Sequence, residues 1–337
     1  MRMTQSKDAR AVRSAIGAIE AFLGRHWFLA ALAVLIVLAG VWPEEPAGFL
    51  HRHNVLDYLI AAVFLNSGLC IRTDRLLAGI GDFRSFLLIQ GITFIVFPLL
   101  MAATAMPIFS EPADLKAGFA LLLAVPTTIT SCVILTTIAG GSTAVALVSA
   151  VAGNLLGVVV TPLLLKIALQ VEAAIPVLPM IQKLALIVLL PVIAGQCLRP
   201  LRPALFDSWK KGFSKFNQCV VLAIVYVSAA RAVPALNGGA ALIGGIAAYM
   251  IVFHVAMLWL SRLAGRLRGG PAELGPAIMF CSAQKTMAIG QALAGNVAAA
   301  LGGQAALIMA PLIVYHIAQL TIDAALAQRM GVRAKRG

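Results

Sequence analysis

Ten apolar runs, each about the length that crosses a bilayer, follow one another along the chain with little between them. They fall at about residues 27–43, 56–72, 85–107, 116–139 and 143–169, and then at 177–198, 216–235, 239–263, 274–297 and 303–327. A spanning helix needs roughly 20 predominantly apolar residues, because in hydrocarbon every backbone N–H and C=O must be satisfied within its own segment. What is left of the 337 residues cannot build a soluble domain, so the working parts lie inside the membrane. Composition agrees: 61% of residues are apolar and 12% charged, against about 25% charged in a soluble protein. The expected fold is all-α and polytopic, with an N-terminal segment (1–26), five spans (27–169), five more (177–327) and a short tail (328–337).

The net charge of +13 suggests nucleic acid only until the basic residues are placed. They sit in short segments between apolar runs, not in one patch, so no nucleic-acid partner is expected. With the N-terminus inside, the inner segments hold Arg2, Lys7, Arg10, Arg13 and Arg25; Arg72, Arg75 and Arg84; Arg199, Arg202, Lys210, Lys211 and Lys215; Arg262, Arg266 and Arg268; and Arg329, Arg333, Lys335 and Arg336. That is 20 of the 26 basic residues. The positive-inside bias therefore predicts both termini in the cytoplasm, and the inner membrane is the expected location. Arg2 to Arg25 lies on an Ala-rich stretch without a clear cleavage site, which fits an amphipathic surface helix or a plain tail rather than a removable signal.

Metal and thiol chemistry find little support. Cys70, Cys132, Cys197, Cys219 and Cys281 have no ligand spacing and read as free helix-packing thiols. The His51-Arg52-His53 cluster with Asp57 lacks a helical i, i+4 histidine pair and reads as a solvated loop. Gly140-Gly141 and Gly269-Gly270 follow no strand and read as tight connections.

Two spans do not read as plain helices. Val125-Pro126-Thr127-Thr128-Ile129-Thr130-Ser131-Cys132 places a proline and four hydroxyls in the middle of span four, and Phe280-Cys281-Ser282-Ala283-Gln284-Lys285-Thr286 places an amide and an ammonium in the middle of span nine. Such clusters want unwound backbone lining a cavity. These are the fourth spans of the two five-span halves, and matched polar interruptions of this kind mark an inverted-repeat transporter with its site at the repeat interface. The bland alternative for span four is a tolerated proline kink whose hydroxyls bond back to their own helix.

Lys285 is the sharpest residue, since a lysine at bilayer depth costs from about 2.5 to over 10 kcal/mol depending on water access. Most acids lie in loops, and only Asp57 and Asp323 fall within or at the ends of spans. The lysine is expected to meet carbonyls, water or an anion; pairing with the carbonyl ends of a broken helix would make its role structural. Asn66, Ser67, Asn154, His254 and His316 either line a cavity or bond between helices.

These segments, together with Gln90-Gly91 to Pro98-Leu99-Leu100 and Gly153-Asn154 to Thr161-Pro162-Leu163, resemble the bile acid:sodium symporter superfamily, and specifically its SBF-like bacterial branch. The resemblance runs from about residue 30 to 325. It implies ten helices in two inverted five-helix repeats, a panel of spans one, two, six and seven, and a core of the other six, in which broken helices four and nine cross. It also implies a pattern in sodium-coupled members that this chain keeps in part. Gln90, Ser131 and Gln284 match sodium-site residues, whereas Cys132 stands for an asparagine, Phe280 for a glutamate, and Lys285 for a neutral amide. Sodium prefers hard, anionic oxygen ligands, so a phenyl in place of a carboxylate and an adjacent ammonium disfavour it. Lys285 is expected to replace the ion, to pair with an anionic substrate, or to exchange a proton with it.

The functional expectation is a secondary active transporter of a small organic anion, working by alternating access as a monomer or weak homodimer in the lipid bilayer. The substrate or ion site is expected at Gln90, Thr128, Thr130, Ser131, Asn154, Ser282, Gln284, Lys285 and Thr286. No cofactor or metal is expected, and sodium, a proton or no ion remain open as the coupled species. With no HExxH, GxSxG or Walker motif, neither an enzyme nor a nucleotide-driven pump is expected. A non-transporting membrane regulator of calcium homeostasis on the same scaffold is the alternative.

Overall fold

A computed structural model describes residues 27–41 apart from 29, 33 and 36, together with 55–72, 82–170, 175–235 and 240–334. The N-terminal segment 1–26, the His51–His53 cluster and the last three residues lie outside the described residues. Among the described residues the chain is helical, without a strand. In order, the helices are α1 (Ala30–Val41), α2 (Val55–Cys70), α3 (Phe83–Ile108), α4 (Ala113–Ala124), α5 (Thr130–Ile138) and α6 (Thr143–Leu169). Then come α7 (Val177–Leu201), α8 (Pro203–Ala235), α9 (Ala240–Arg268), α10 (Leu274–Ala283), α11 (Met287–Leu301) and α12 (Ala305–Ala334).

The ten apolar runs, alike in hydropathy, fold into three kinds of element. Six helices, α3, α6, α7, α8, α9 and α12, are long and apolar enough to cross a membrane. Two apolar helices, α1 and α2, are shorter. The runs 116–139 and 274–297 are each two short helices, α4 with α5 and α10 with α11, parted at 125–129 and 284–286. The unwinding expected at both polar clusters is present.

Local chemistry accounts for the irregularities. The turns Ile92–Val96 and Ala185–Leu189 are widened π-turns, each ending two residues before a proline, Pro98 and Pro191. Proline has no N–H to give and its ring crowds the preceding turn, so the helix widens to pass it. Asp82 caps α3 through Ser85 N at 3.2 Å and pairs with Arg268 at the end of α9. Gly140, Gly269 and Gly270 hold left-handed backbone in short connections, as expected of tight turns.

Two sets of helix contacts stand out, and α8 joins them by packing on α12 as well as on α2. The first centres on α2 against α7 and α8, where Gly68 and Gly195 face each other so closely that a Cβ on either would run into a carbonyl of the opposite helix. In lipid, where apolar side chains gain little by leaving hydrocarbon, such close backbone approach supplies the packing. The second wraps α3, α6, α9 and α12 around the four short helices. Large apolar side chains such as Val252, Trp259 and Leu267 stay exposed on the outside, while the polar residues Gln284, Lys285, Gln319 and Asp323 are fully buried. This inversion of the soluble pattern is what a lipid environment demands.

Candidate functional site

Where α4 stops, Pro126 removes a donor and the chain turns out of the helix, so a run of carbonyls is left without helical partners. Each one resolved in the hydrogen-bond network is satisfied from another element. Ala124 O accepts from Thr161 Oγ1 at 2.9 Å, Pro126 O from Thr286 N at 2.8 Å, Thr127 O from Asn154 Nδ2 at 2.8 Å and Thr128 O from Cys132 Sγ at 2.7 Å. The bond from Thr286 to Pro126 joins the two breaks backbone to backbone.

The remaining carbonyls belong to Lys285. Its ammonium donates to Val125 O at 2.9 Å, Leu123 O at 3.3 Å and Thr93 O at 3.0 Å, and lies 4.0 Å above the Phe97 ring. Thr93 O is free for a reason written in the sequence: its donor across the π-turn would be Pro98, which has no N–H. Three charge-assisted bonds and a ring face thus satisfy an ammonium with no solvent exposure. Of the three partners expected for Lys285, the carbonyls are the ones it meets.

The backbone of the second break is held from α12. Gln319 receives Lys285 N on Oε1 at 2.8 Å and donates Nε2 to Lys285 O at 2.9 Å, standing in for the strand or helix partner that unwound backbone lacks. Gln284 is fully engaged as well. Its Oε1 accepts from Thr128 and, at 2.8 Å, from Ser131, and its Nε2 donates to Asp323 Oδ2 at 2.7 Å. Asp323 Oδ1 lies 2.8 Å from His254 Nε2, His254 Nδ1 lies 2.9 Å from Tyr315 OH, and Tyr315 donates to Ala283 O at 2.6 Å.

A cavity of about 300 Å³ reaches this network from one side. Thr128, Thr130, Ser131, Asn154 and Thr286, five of the nine residues singled out in the sequence, line it, together with Phe64, Val221, His316 and Leu320. A second cavity of about 260 Å³ shares Ser67, Thr130 and Asn217 with the first and extends to Arg72 and Lys210. A third, about 240 Å³ and lined by Asp57, Lys183, Arg231 and Gln291, shares no lining residue with either. Gln284 stands one hydrogen bond behind the first cavity wall, and Lys285 is buried against its carbonyls. Gln90 lies elsewhere, donating to Ser149 O at 2.8 Å, and the Ser282 hydroxyl is buried without a protein partner.

The lower-ranked polar residues divide similarly. Asn66 bonds Asn217 across α2 and α8, Ser67 bonds back to Val63 O, and His316 meets Gln319 at 2.8 Å. Among the described residues all five cysteines are free, and no cluster of metal-ligating acids, histidines or cysteines occurs. Sequence reading missed the joining of Asp323, His254, Tyr315 and Gln319. The signal was available, since an acid inside a span is as costly as the lysine that drew attention.

The chain matches the model of the SBF-like CPA transporter family over residues 26–332. It is similar to "Sodium/bile acid cotransporter 7" of Danio rerio, 29% identical over 317 residues that make up 90% of this chain and 92% of the relative. It is likewise similar to the mouse protein of that name, at 28% identity over 90% of this chain and 91% of the relative. With YfeH of Escherichia coli it shares 30% identity over 90% of this chain and 92% of the relative. With a match that spans nearly the whole chain, this protein belongs to the SBF-like CPA transporter family and is a membrane transporter, not an enzyme.

Proposed function

We propose that this chain is a secondary active transporter that moves a small organic anion across the inner membrane by alternating access. In this reading ten spans form two inverted five-helix repeats, 27–169 and 177–327, with broken spans four and nine crossing in a core that rocks against a panel of spans one, two, six and seven. Both termini face the cytoplasm, and the protein works as a monomer or weak homodimer.

The observation that carries the reading is the cavity, which ends on hydroxyls of one break and on Thr286 of the other. Its neighbour continues to Arg72 and Lys210, both on the side where basic residues concentrate. Lys210 is paired with Asp207 at 2.7 Å, so what favours an anion is the excess of basic residues on that side, while apolar walls from Val63, Phe64, Ile134 and Leu320 take up a hydrophobic body. The third cavity, on the side of Lys183 and Arg231, has no lining residue in common with the other two, which corresponds to an inward-open arrangement. The rocking motion opens that side in turn.

Sodium, named for the cotransporter relatives, has little to bind at the crossing. Phe280 is apolar and fully buried, Gln284 has its oxygen occupied by two hydroxyls, and the nearby carbonyls hold Lys285. The ammonium takes the place of a coordinated cation and holds the two breaks together.

Uptake by proteoliposomes containing the purified full chain tests the reading, with a labelled bile salt beside a smaller monocarboxylate. The expected result is saturable uptake above empty liposomes, lowered about tenfold by the pair Thr128→Val and Ser131→Ala, which removes the two hydroxyls that hold Gln284 at the cavity wall. Uptake equal to that of empty liposomes for both anions, from protein that is folded, would overturn it in favour of a non-transporting regulator.

A further inference from the structure

Asp323 and His254 are both without solvent exposure, midway along helices that pack against the crossing. Their hydrogen bonds fix where the protons are. A carbonyl only accepts, so in the 2.6 Å bond to Ala283 O the donor is the single hydroxyl proton of Tyr315. The Tyr315 oxygen then accepts from His254, and Nδ1 at 2.9 Å carries a proton. The 2.8 Å contact between His254 Nε2 and Asp323 Oδ1 therefore holds a second proton of its own, because without it two acceptors would face each other.

From this geometry we infer that the Asp323–His254 pair is a proton-binding site, and that the proton it holds decides whether Tyr315 clamps the end of α10. When the shared proton leaves to cavity water, the remaining imidazole proton moves to Nε2 and keeps the bond to Asp323. Nδ1 is then a bare acceptor, and Tyr315 turns its hydroxyl from Ala283 O to Nδ1. Ala283 is the last residue of α10, so the carbonyl released lies next to Gln284 at the break. Protonation is thus transmitted to the crossing through one hydroxyl. Only the Gln284 side chain separates Asp323 Oδ2 from the cavity-lining Thr128 and Ser131, so its departure from Oδ2 opens a short route to water.

Few other ionisable groups stand near. On the same helix are Tyr315 and His316, the latter turned to Gln319, with Arg329 more than a turn further on. Lys285 stands at the junction on its carbonyls, Cys281 on α10 and Cys132 on α5 are buried thiols, and Tyr249 on α9 bonds Thr104. The charged residues of the other helices packed around α9 and α12 are Arg84 on α3, Asp114 and Lys116 on α4, and Asp207, Lys210, Lys211, Lys215 and Arg231 on α8, which also has Cys219 and Tyr226; α9 itself has Arg262, Arg266 and Arg268 in its last two turns.

The inference deepens the transporter reading by naming its coupled ion, yet its test needs no substrate. Hydrogen–deuterium exchange of peptides spanning 280–288 is followed in the purified full chain from about pH 5 to about pH 9, corrected for the intrinsic pH dependence of exchange. In the wild type, protection is expected to fall about tenfold as the pair loses its proton, the equivalent of one hydrogen bond. Asp323→Asn presents an N–H to Nε2 and mimics the protonated form, so protection should stay high throughout. Tyr315→Phe frees Ala283 O at every pH, so exchange should be fast throughout. A wild type whose protection does not change with pH, or an Asp323→Asn or Tyr315→Phe variant that keeps the wild-type profile, would overturn the proton switch. Any of these would leave the uptake experiment untouched.

Discussion

The two helix breaks reach the same end by opposite means. At 125–129 the backbone is short of donors, because Pro126 has none and the chain departs from the helix, so it offers carbonyls outward and receives donors from α6, α5 and Lys285. At 284–286 the sequence contains no proline. That break persists because α12 supplies Gln319 and Tyr315, and because Thr286 N and the Lys285 ammonium find acceptors at the first break. One break is written into the local chain, and the other is imposed by its partners. The hydroxyls of the first face the cavity, whereas the amide and ammonium of the second are used up inside the protein. Substitutions at the second should therefore unfold the core, and those at the first should chiefly alter transport.

The largest effect is expected from Lys285→Met, which keeps the stem and removes the charge. It strands Thr93 O, Leu123 O and Val125 O around a fully buried side chain. By comparison with other broken buried charge networks the loss is about 3–5 kcal/mol, read as a fall in the melting midpoint in detergent and in the yield of monodisperse protein. A variant as stable as the wild type would show that the carbonyls are satisfied by other means and that the lysine is no clamp.

Gln284→Leu should come next. It removes the partner of two cavity hydroxyls and of Asp323 Oδ2 together, at about 1–3 kcal/mol for the buried polar groups left unpaired. The cavity hydroxyls are expected to find water, so most of the cost falls on Asp323. The substitution Gln284→Glu in the same melting assay sharpens this, because a second carboxylate facing Asp323 should be at least as damaging as leucine.

Pro126→Ala should cost no more than about 1 kcal/mol, since the bonds to Thr161, Asn154 and Thr286 hold the turn whichever residue stands there. Uptake, not stability, is the measurement that responds here. A loss comparable with Lys285→Met would mean that the two breaks are alike and the contrast between them mistaken.

The unequal legibility of the breaks follows from the same contrast. Pro126 with its hydroxyls marks an unwound segment in any single sequence, because the missing donor is a property of one residue. The second break was legible only as polar residues out of place, since what unwinds it comes from Gln319 and Tyr315, more than thirty residues away. Hydropathy found the ten runs but could not distinguish a long helix from two short ones, as both bury the same apolar length. It gave no hint that Asp323, His254 and Tyr315 would meet, since pairing between α9 and α12 is decided by helix rotation and not by the composition of either. The free Thr93 carbonyl was foreshadowed by Pro98, but its use by Lys285 was not, because the two are brought together only when α3 packs beside α10.

The smallest expected effect is also the one that most directly tests whether Lys285 stands in for a cation. A ligand at 100 times its Kd stabilises the state that binds it by about 2.7 kcal/mol, so a sodium site at the crossing would raise the melting midpoint in sodium over that in potassium or choline at matched ionic strength. In the wild type no such difference is expected, because the ammonium already fills the place and repels a second positive charge. Lys285→Ala makes the opposite case. It leaves three carbonyl oxygens around the space of a lost ammonium, hard ligands of the kind that suit a small cation. Sodium should recover part of the lost stability in that variant while leaving the wild type unmoved. A sodium-specific rise in the wild type would place a cation at oxygens other than these, the unpartnered Asn154 Oδ1 and Ser282 Oγ being the first to examine. Equal melting of Lys285→Ala in all three salts would reduce Lys285 to a fastening between two breaks, with no trace of an ion in its role.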